Sequence, residues 1–394
     1  MFELSEEELK SKGANITVRE TLGQPMIWRK AFVEYLENKS KIEDFLKVIL
    51  SKHSYVRVIF TGAGSSQYIG DTVVKSLNEL GDTKHYHFES IGSTDIVSAP
   101  QSVLEENIPT LLVSFARSGN SPESVAAVEI VEQYVRDSYQ LSITCAIDGD
   151  LSKKLDMVPN AYNYVLPSET LDQGFAMTSS FSTMTLLATL IFSLELDEDK
   201  SRQVEIAARL AEDIFSREDE ISNYLPLDVK RVVYVGSGPL AGLTREAQLK
   251  ILELTAGQIS TIFDSSMGLR HGPKSFINDK TSVFIFASNN DYTRNYDVDL
   301  YKEVLGDEIA AKVVLIGQNV EGFNYLPSEN IHPAYQVFPA IAFAHVIALT
   351  ASLNVGNTPD TPSVSGTVNR VVKGVKIHPL YRCVGRYSNG FSKK

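Results

Sequence analysis

Apolar residues near the start of the chain recur at the spacing of a helix. Between Thr17 and Leu50 the large side chains follow the three- and four-residue steps that place them on one helical face. They are Trp28, Phe32, Tyr35, Leu36 and Ile42. This pattern predicts an N-terminal helical arm over residues 1–50.

The pattern then changes to short apolar runs that alternate with helix-like stretches. The runs are VRVIFT, TLLVSF, LSITCAI and YNYVL, then KRVVYV, SVFIFA and KVVLIG. Continuous apolar runs of this length are typical of parallel strands covered on both faces. Two longer stretches, about 176–195 and 201–224, read as helices between the two sets of runs. Strands that alternate with helices predict doubly wound parallel sheets.

Two markers repeat along the chain at nearly the same distance. Gly62 and Gly236, each the first glycine after a predicted strand, are 174 residues apart, and the Phe-Ala pairs at 115–116 and 286–287 are 171 apart. Repeats at this scale indicate an internal duplication. We therefore predict an α/β protein with two tandem doubly wound parallel-sheet domains, 51–222 and 223–355, followed by a tail over 356–394.

Composition narrows the classes of function. Of 394 residues, 43% are hydrophobic and 22% charged, and the formal net charge is −12. This balance argues against a nucleic-acid-binding surface, which needs clustered Lys and Arg. The acidic N-terminus lacks the apolar segment of a signal peptide, and we expect no run near the ~18 apolar residues of a membrane span. The two cysteines, Cys145 and Cys383, give neither a disulfide framework nor zinc spacing, which favours the cytoplasm.

Two hydroxyl-rich loops follow predicted strands and precede predicted helices. They are GAGSS (62–66) and ARSGNSPES (116–124). Backbone N–H groups at a helix N-terminus and the helix dipole favour an anion there. The loops add hydroxyl and guanidinium donors from Ser65, Ser66, Ser118, Ser121 and Arg117. The sequence therefore offers two phosphate-binding loops, and the alternative is that Asn120 or Ser121 merely caps a helix that begins at Pro122.

A dinucleotide-binding fold is a further alternative. GSGPLAG matches G-x-G-x-x-[GA] through Gly236, Gly238 and Ala241, whereas TGAGSSQ fails at Gln67. The acidic residue expected about twenty positions later is missing, since Asp264 stands late. A nicotinamide-dependent dehydrogenase is therefore disfavoured.

The segment REAQLKILELTAG carries the strongest candidate chemistry. Glu246, Lys250 and Glu253 stand at i, i+4 and i+7 and share one helix face. On spacing alone this face could equally be a solvated row of Glu–Lys pairs. Downstream, His271 is the centre of the loop GLRHGPKSF, outside any apolar pattern, which raises its interest as a functional residue.

Taken together, these motifs resemble the sugar isomerase (SIS) family. The isomerase half of glucosamine-6-phosphate synthase has tandem SIS domains and a Glu-x3-Lys-x2-Glu helix followed by a His-Gly-Pro loop. The same pattern stands here from Glu246 to Glu253 and at 271–273. GAGSS, ARSGNSPES, GLRHGPKSF and the tail segment GTVNRVVKGV are more closely similar to the galactosamine-6-phosphate deaminase family, whose members are often labelled tagatose-6-phosphate ketose/aldose isomerases.

The resemblance implies a role for each motif. Glu253 would move a proton between C1 and C2, Lys250 would stabilise the oxyanion, and His271 of a neighbouring subunit would open the sugar ring. Other residues would border the sugar phosphate, the first four as phosphate ligands: Ser66, Arg117, Ser118, Ser121, Ser65, Glu246, the loosely aligned Lys373 and the segment 173–181. A homodimer with shared sites is implied, and no metal or redox cofactor is needed.

One difference from the synthase shapes the expected reaction. The synthase has an N-terminal glutaminase domain with a cysteine after the initiator methionine, whereas Phe2 follows Met1 here and only residues 1–50 precede the first predicted domain. We therefore expect ammonia release, with galactosamine 6-phosphate giving tagatose 6-phosphate and ammonia. The alternatives are a nitrogen-free aldose–ketose isomerase of a hexose or pentose phosphate, and a non-catalytic sugar-phosphate sensor. Such a sensor would not need Glu253 and His271.

Overall fold

The computed structural model describes residues 1–326, 329–372 and 374–380. The helices are α1 Glu6–Ser11, α2 Asn15–Lys52, α3 Ser65–Leu80, α4 Ser93–Ser98, α5 Pro100–Val103, α6 Pro122–Tyr134, α7 Asp150–Leu155, α8 Ser179–Phe192, α9 Asp197–Ser216, α10 Glu218–Ser222, α11 Pro239–Leu254, α12 Asp291–Gly306 and α13 Val337–Asn354. The strands are β1 Val56–Thr61, β2 Tyr86–Ser90, β3 Thr110–Ala116, β4 Ser138–Thr144, β5 Ala161–Val165, β6 Arg231–Gly236, β7 Ser260–Ser265, β8 Thr281–Phe286, β9 Lys312–Gly317 and β10 Phe323–Asn324.

The strands form two five-stranded sheets, and every pair is parallel. The first sheet has the order β2-β1-β3-β4-β5 and the second β10-β9-β8-β6-β7. Counted within each half of the chain, both sheets have the same order, which confirms the predicted α/β class and agrees with a duplication. In sheets of this order a ligand site is expected where the strand order reverses, outside the carboxyl ends of β1 and β3 or of β6 and β8.

The turn that follows the first strand of each sheet is the same. Gly64 and Gly238 have identical dihedral angles, φ 58° and ψ −130°, and each precedes a helix of 16 residues. A side chain would strain this backbone, so the second glycine of each G-x-G is a requirement of the strand-to-helix turn. The G-x-G pattern is therefore explained by the turn itself and does not, on its own, indicate a bound ligand.

The longest helices among the described residues, α2, α9 and α13, pack on one another. The predicted arm is α2, which packs on α8 and α9, and Trp28 Nε1 donates to Ser182 Oγ at 2.9 Å. The expectation that no apolar run is long enough to cross a membrane was wrong for α13, whose length and composition would allow it. However, nearly all of α13 is buried within the protein against helices such as α9 and α11, as in a core helix. The predicted stretches at 176–195 and 201–224 correspond to α8 and to α9 with α10.

Helices α3 and α11, which follow the first strands of the two sheets, cross in direct contact. A Cβ added at Gly242 would lie 2.3 Å from the carbonyl oxygen of Asp71, so the two backbones touch here. Next to the crossing, Arg245 Nη1 pairs with Asp71 Oδ2 at 2.7 Å. The crossing brings the last turns of α11 close to the first turn of α3.

Candidate active site

A cavity of about 230 Å³ lies at the carboxyl ends of β1 and β3, where the strand order reverses. Both hydroxyl-rich loops line it, and so does Glu253 from α11. The predicted residues found in its lining are Ser65, Ser66, Arg117, Ser118, Ser121 and Glu253. Residues separated by more than 180 positions therefore share one cavity.

The N-termini of α3 and α6 both face this cavity without a side-chain cap. Gly64 at the N-cap of α3 has no side chain, and the Ser121 side chain accepts no hydrogen bond from α6. The amide oxygen of Asn120 instead accepts from Asp150 N at 3.0 Å. The capping alternative is thus not supported, and no side chain of the N-cap residue covers the N-terminus of either helix, where the helix dipole favours an anion.

Arg117 is buried, and its guanidinium donates hydrogen bonds to three backbone carbonyl oxygens. Nη1 donates to Phe175 O at 2.9 Å and to Gly174 O at 3.3 Å, and Nη2 donates to Arg370 O at 2.8 Å. Burial, and then the charge of Arg370, lower the pKa of Arg117. Its guanidinium joins the loop at 174–175 and the C-terminal segment to the cavity wall.

The row on α11 is a buried ion cluster, not a solvated face. Lys250 is 1% exposed, and its Nζ lies 2.6 Å from Glu253 Oε2, 3.1 Å from Glu246 Oε1 and 3.0 Å from Ser65 Oγ. Burial raises the pKa of Glu246 to about 7, although Lys250 opposes this shift. Burial lowers the pKa of Lys250, but Glu246 and then Glu253 more than offset this, and the net shift is upward.

The other predicted site residues lie outside the cavity lining. Glu246 is completely buried behind Lys250. His271 is exposed, in the turn between the short 3-10 helices Gly268–Arg270 and Pro273–Phe276, and is absent from the cavity of its own chain. Lys373 lies outside the described residues.

The cavity also has lining residues that the sequence reasoning did not single out. Phe175 and Met177 fall in the predicted bordering segment, but Glu123 and the C-terminal residues were missed. The C-terminal ones are Val368, Asn369, Arg370 and Val372. They stand about 250 positions after Arg117 in the tail segment GTVNRVVKGV, which was named only for its resemblance to the family and, apart from Lys373, was not assigned to the site.

The equivalent position of the second sheet holds a carboxylate of the protein itself. Asp297 is fully buried and accepts hydrogen bonds from Ser237 Oγ at 2.6 Å, Ser266 Oγ at 2.5 Å and Ser288 N at 2.9 Å. Ser237 corresponds to Ala63, since each follows the first glycine of its G-x-G turn. Ser288 corresponds to Arg117, since each follows the Phe-Ala pair at the end of a strand. Because Asp297 accepts a hydrogen bond from Ser237, which stands between Gly236 and Gly238, a carboxylate of the protein already occupies this loop. This argues against the dinucleotide alternative.

Comparison with known proteins gives concordant similarities. No family model matches the chain. D-galactosamine-6-phosphate deaminase AgaS of Shewanella sp. strain ANA-3 is 40% identical over 380 residues, 96% of each chain. The structure of tagatose-6-phosphate ketose/aldose isomerase from Escherichia coli is 38% identical with a TM-score of 0.83, over 92% of this chain and 96% of that one. A structure from Clostridium novyi NT, provisionally named as the same isomerase, is 38% identical with a TM-score of 0.90, over 96% of this chain and 99% of that one.

Proposed function

The chain belongs to the D-galactosamine-6-phosphate deaminase family, within the SIS fold, and we propose that it converts D-galactosamine 6-phosphate and water into tagatose 6-phosphate and ammonia. The observation that carries the reaction is that Glu253 enters the anion cavity while its carboxylate is held 2.6 Å from Lys250 Nζ. A base and a cation thus stand together where the sugar chain of a bound phosphate would extend.

The chemistry follows from this pair. In the open-chain substrate C2 carries the amino group and is bonded to the C1 aldehyde, which acidifies the C2 proton, and Glu253 removes this proton and returns it to C1. Lys250 stabilises the negative charge that develops on the oxygen at C1. A proton also passes, in net terms, from the amino nitrogen to the oxygen at C1, which leaves a hydroxymethyl group at C1 and an imine at C2. Water hydrolyses this imine to the ketone of tagatose 6-phosphate and releases ammonia.

The phosphate is held by the cradle of the first sheet. Ser66, Ser118 and Ser121 supply hydroxyl donors, and the uncapped N-termini of α3 and α6 supply backbone N–H groups. The buried carboxylate of Asp297 in the corresponding cradle of the second sheet supports this assignment, because the same turn accommodates an anion there.

We assign ring opening to His271 of a second copy, because His271 lies outside the cavity of its own chain. His271 is exposed on the second sheet's side of the molecule, next to the edge strand β7 and the exposed side chains of Phe263 and Met267. A homodimer that buries this apolar edge would bring His271 to the partner's cavity. We also propose a cytoplasmic location, in keeping with the free buried thiol of Cys145.

The direct test is ammonia release from D-galactosamine 6-phosphate by the purified protein, with tagatose 6-phosphate measured in parallel. Equal amounts of the two products are expected. Binding of the substrate without ammonia release would contradict the proposal and favour a sensor. Conversion of galactose 6-phosphate to tagatose 6-phosphate, with no ammonia from the amino sugar, would identify a nitrogen-free isomerase.

A further inference from the structure

The chain after α13 contacts the start of α2 and then lines the cavity. The carboxylate of Asp360 caps the start of α2, accepting from Ile16 N at 3.1 Å, Thr17 N at 2.8 Å and Thr17 Oγ1 at 2.7 Å. Beyond this anchor, four residues between 368 and 372 form part of the cavity wall. We refer to residues 366–372 as the strap.

Arg370 is the charged residue of the strap, and it lies against the phosphate cradle. Its carbonyl accepts the hydrogen bond from Arg117 Nη2, and its own Nη2 donates to Asp172 O. Arg370 Nε is buried without a hydrogen-bond partner among the described residues. A buried cationic N–H without an acceptor is costly, and Arg370 lines the cavity, so an anion bound there could offset this cost.

The cradle brings two guanidinium groups together, and within the part of the chain that the structure describes both donate to backbone carbonyls and to no carboxylate. Arg370 is close enough to Arg117 to help lower its pKa. The nearby carboxylate of Asp172 is engaged at the start of α8, where it accepts from the backbone N–H groups of residues 178–180. Glu253 is paired with Lys250, and Glu123 lies in the first turn of α6, where the helix dipole favours its charge.

We propose that Arg370 binds the phosphate group of the substrate and that this contact holds the strap closed over the cavity. The phosphate supplies the acceptor that Arg370 Nε lacks and relieves the repulsion between the two guanidinium groups. Arg117 connects the strap with the loop at 174–175, because it already donates hydrogen bonds to a carbonyl oxygen of each. The identity of the sugar phosphate rests on the proposed function, but the role of Arg370 requires only a phosphate.

The test compares Arg370→Gln and Arg370→Lys with wild type in the full-length protein. Calorimetric titration with tagatose 6-phosphate should show an about 10- to 100-fold weaker affinity for Arg370→Gln, with partial recovery in Arg370→Lys. The control is Arg136→Gln, a charge-matched change at an exposed arginine whose side chain bonds Glu106. Its affinity should remain that of wild type.

Hydrogen exchange provides a second readout that a merely structural role would not move. Inorganic phosphate should slow amide exchange in residues 366–372 of wild type and of Arg136→Gln, but not of Arg370→Gln. Equal affinity of Arg370→Gln and wild type for tagatose 6-phosphate would overturn the proposal, as would equal protection by phosphate. Both measurements are independent of turnover, so a failure of the deaminase assay in wild type would leave this test intact.

Discussion

Lys250 of α11 donates a hydrogen bond to Ser65 of α3, with Nζ and Oγ 3.0 Å apart in a fully buried setting. The bond joins the ion cluster of the second half of the chain to the first residue of the helix whose N-terminus faces the cavity. Because Lys250 also holds Glu253 at 2.6 Å, the proposed base and the proposed phosphate cradle are fixed relative to each other. Such positioning contributes to rate only when the geometry is held to a fraction of an ångström.

Glu253→Gln should abolish most turnover and keep ligand binding. The amide preserves the shape of the side chain but cannot accept the C2 proton, so we expect kcat to fall by about 100- to 10,000-fold. The affinity for tagatose 6-phosphate should stay within a few-fold of wild type. Steady-state kinetics and calorimetric titration measure the two effects separately.

Glu79→Gln is the matched control for this substitution. Glu79 stands 174 residues before Glu253, in the last turn of α3, and is exposed. It should leave both kcat and affinity unchanged. Wild-type turnover in Glu253→Gln would remove Glu253 from the proposed mechanism.

Mixing two inactive variants tests whether His271 acts in a neighbouring copy. His271→Asn and Glu253→Gln should each be nearly inactive, because each removes one proposed group from every site. In a randomly mixed dimer with shared sites, about a quarter of the sites would receive both wild-type groups. We therefore expect about a quarter of wild-type activity after subunit exchange, measured as ammonia release. Absence of recovery, with exchange verified by native mass spectrometry, would contradict a shared site.

Gly242→Ala should disturb the crossing of α3 and α11. The added Cβ would meet the backbone of Asp71 and Thr72 at 2.3 to 2.8 Å, which neither helix can relieve by moving a side chain. We expect a loss of about 1–3 kcal/mol in the free energy of unfolding, and lower kcat/KM because Lys250 and Ser65 move apart. Gly23→Ala in α2 is the control, since its Cβ would meet only Ile27 Cδ1 at 3.7 Å. It should leave kcat/KM unchanged and raise stability slightly.

How far the sequence alone leads is clearest on α11. The spacing of Glu246, Lys250 and Glu253 predicts one shared face, but a period does not say whether that face is solvated or buried. The answer depends on α13 and α3, which pack on α11 and are distant in sequence. The apolar runs predicted seven strands, and the loops after β1 and β3 could be placed together because parallel strands align their carboxyl ends. The edge strands β2, β7 and β10 were not predicted, since β2 and β7 carry partly exposed residues and β10 has only two residues. The resemblance of GTVNRVVKGV to the family marked the strap, but its contacts with the cavity could not be predicted, since they are set by tertiary structure.

Glu20 should make the stability of the protein depend on pH near neutrality. Its carboxylate accepts from Gln173 N at 2.5 Å and Gly174 N at 3.2 Å, and burial, together with Asp172, raises its pKa to about 7. Between its ordinary pKa of 4.5 and 7, the folded state therefore holds a proton that the unfolded chain has released. This contribution to stability is complete below pH 4.5 and is lost as pH rises through 7.

Glu20→Gln removes the titration while keeping an oxygen acceptor. In urea unfolding between pH 5 and 8, the free energy of unfolding of Glu20→Gln should increase relative to that of wild type as the pH rises. Exposed Glu37 on the same helix provides the control, and Glu37→Gln should parallel wild type across the range. Parallel curves for Glu20→Gln as well would contradict the raised pKa.

Asp297→Ala should expose an anion site in the second sheet. The change leaves Ser237, Ser266 and the N–H of Ser288 without their shared acceptor, so the free energy of unfolding should fall by about 3 kcal/mol or more. Formate can replace the missing carboxylate, and we expect it to raise the melting temperature of Asp297→Ala selectively. Asp299→Ala, an exposed change two residues along α12, should be neither destabilised nor rescued. If formate fails to rescue a folded Asp297→Ala, the second cradle is not an anion site. It then no longer supports phosphate binding by the corresponding loops of the first sheet.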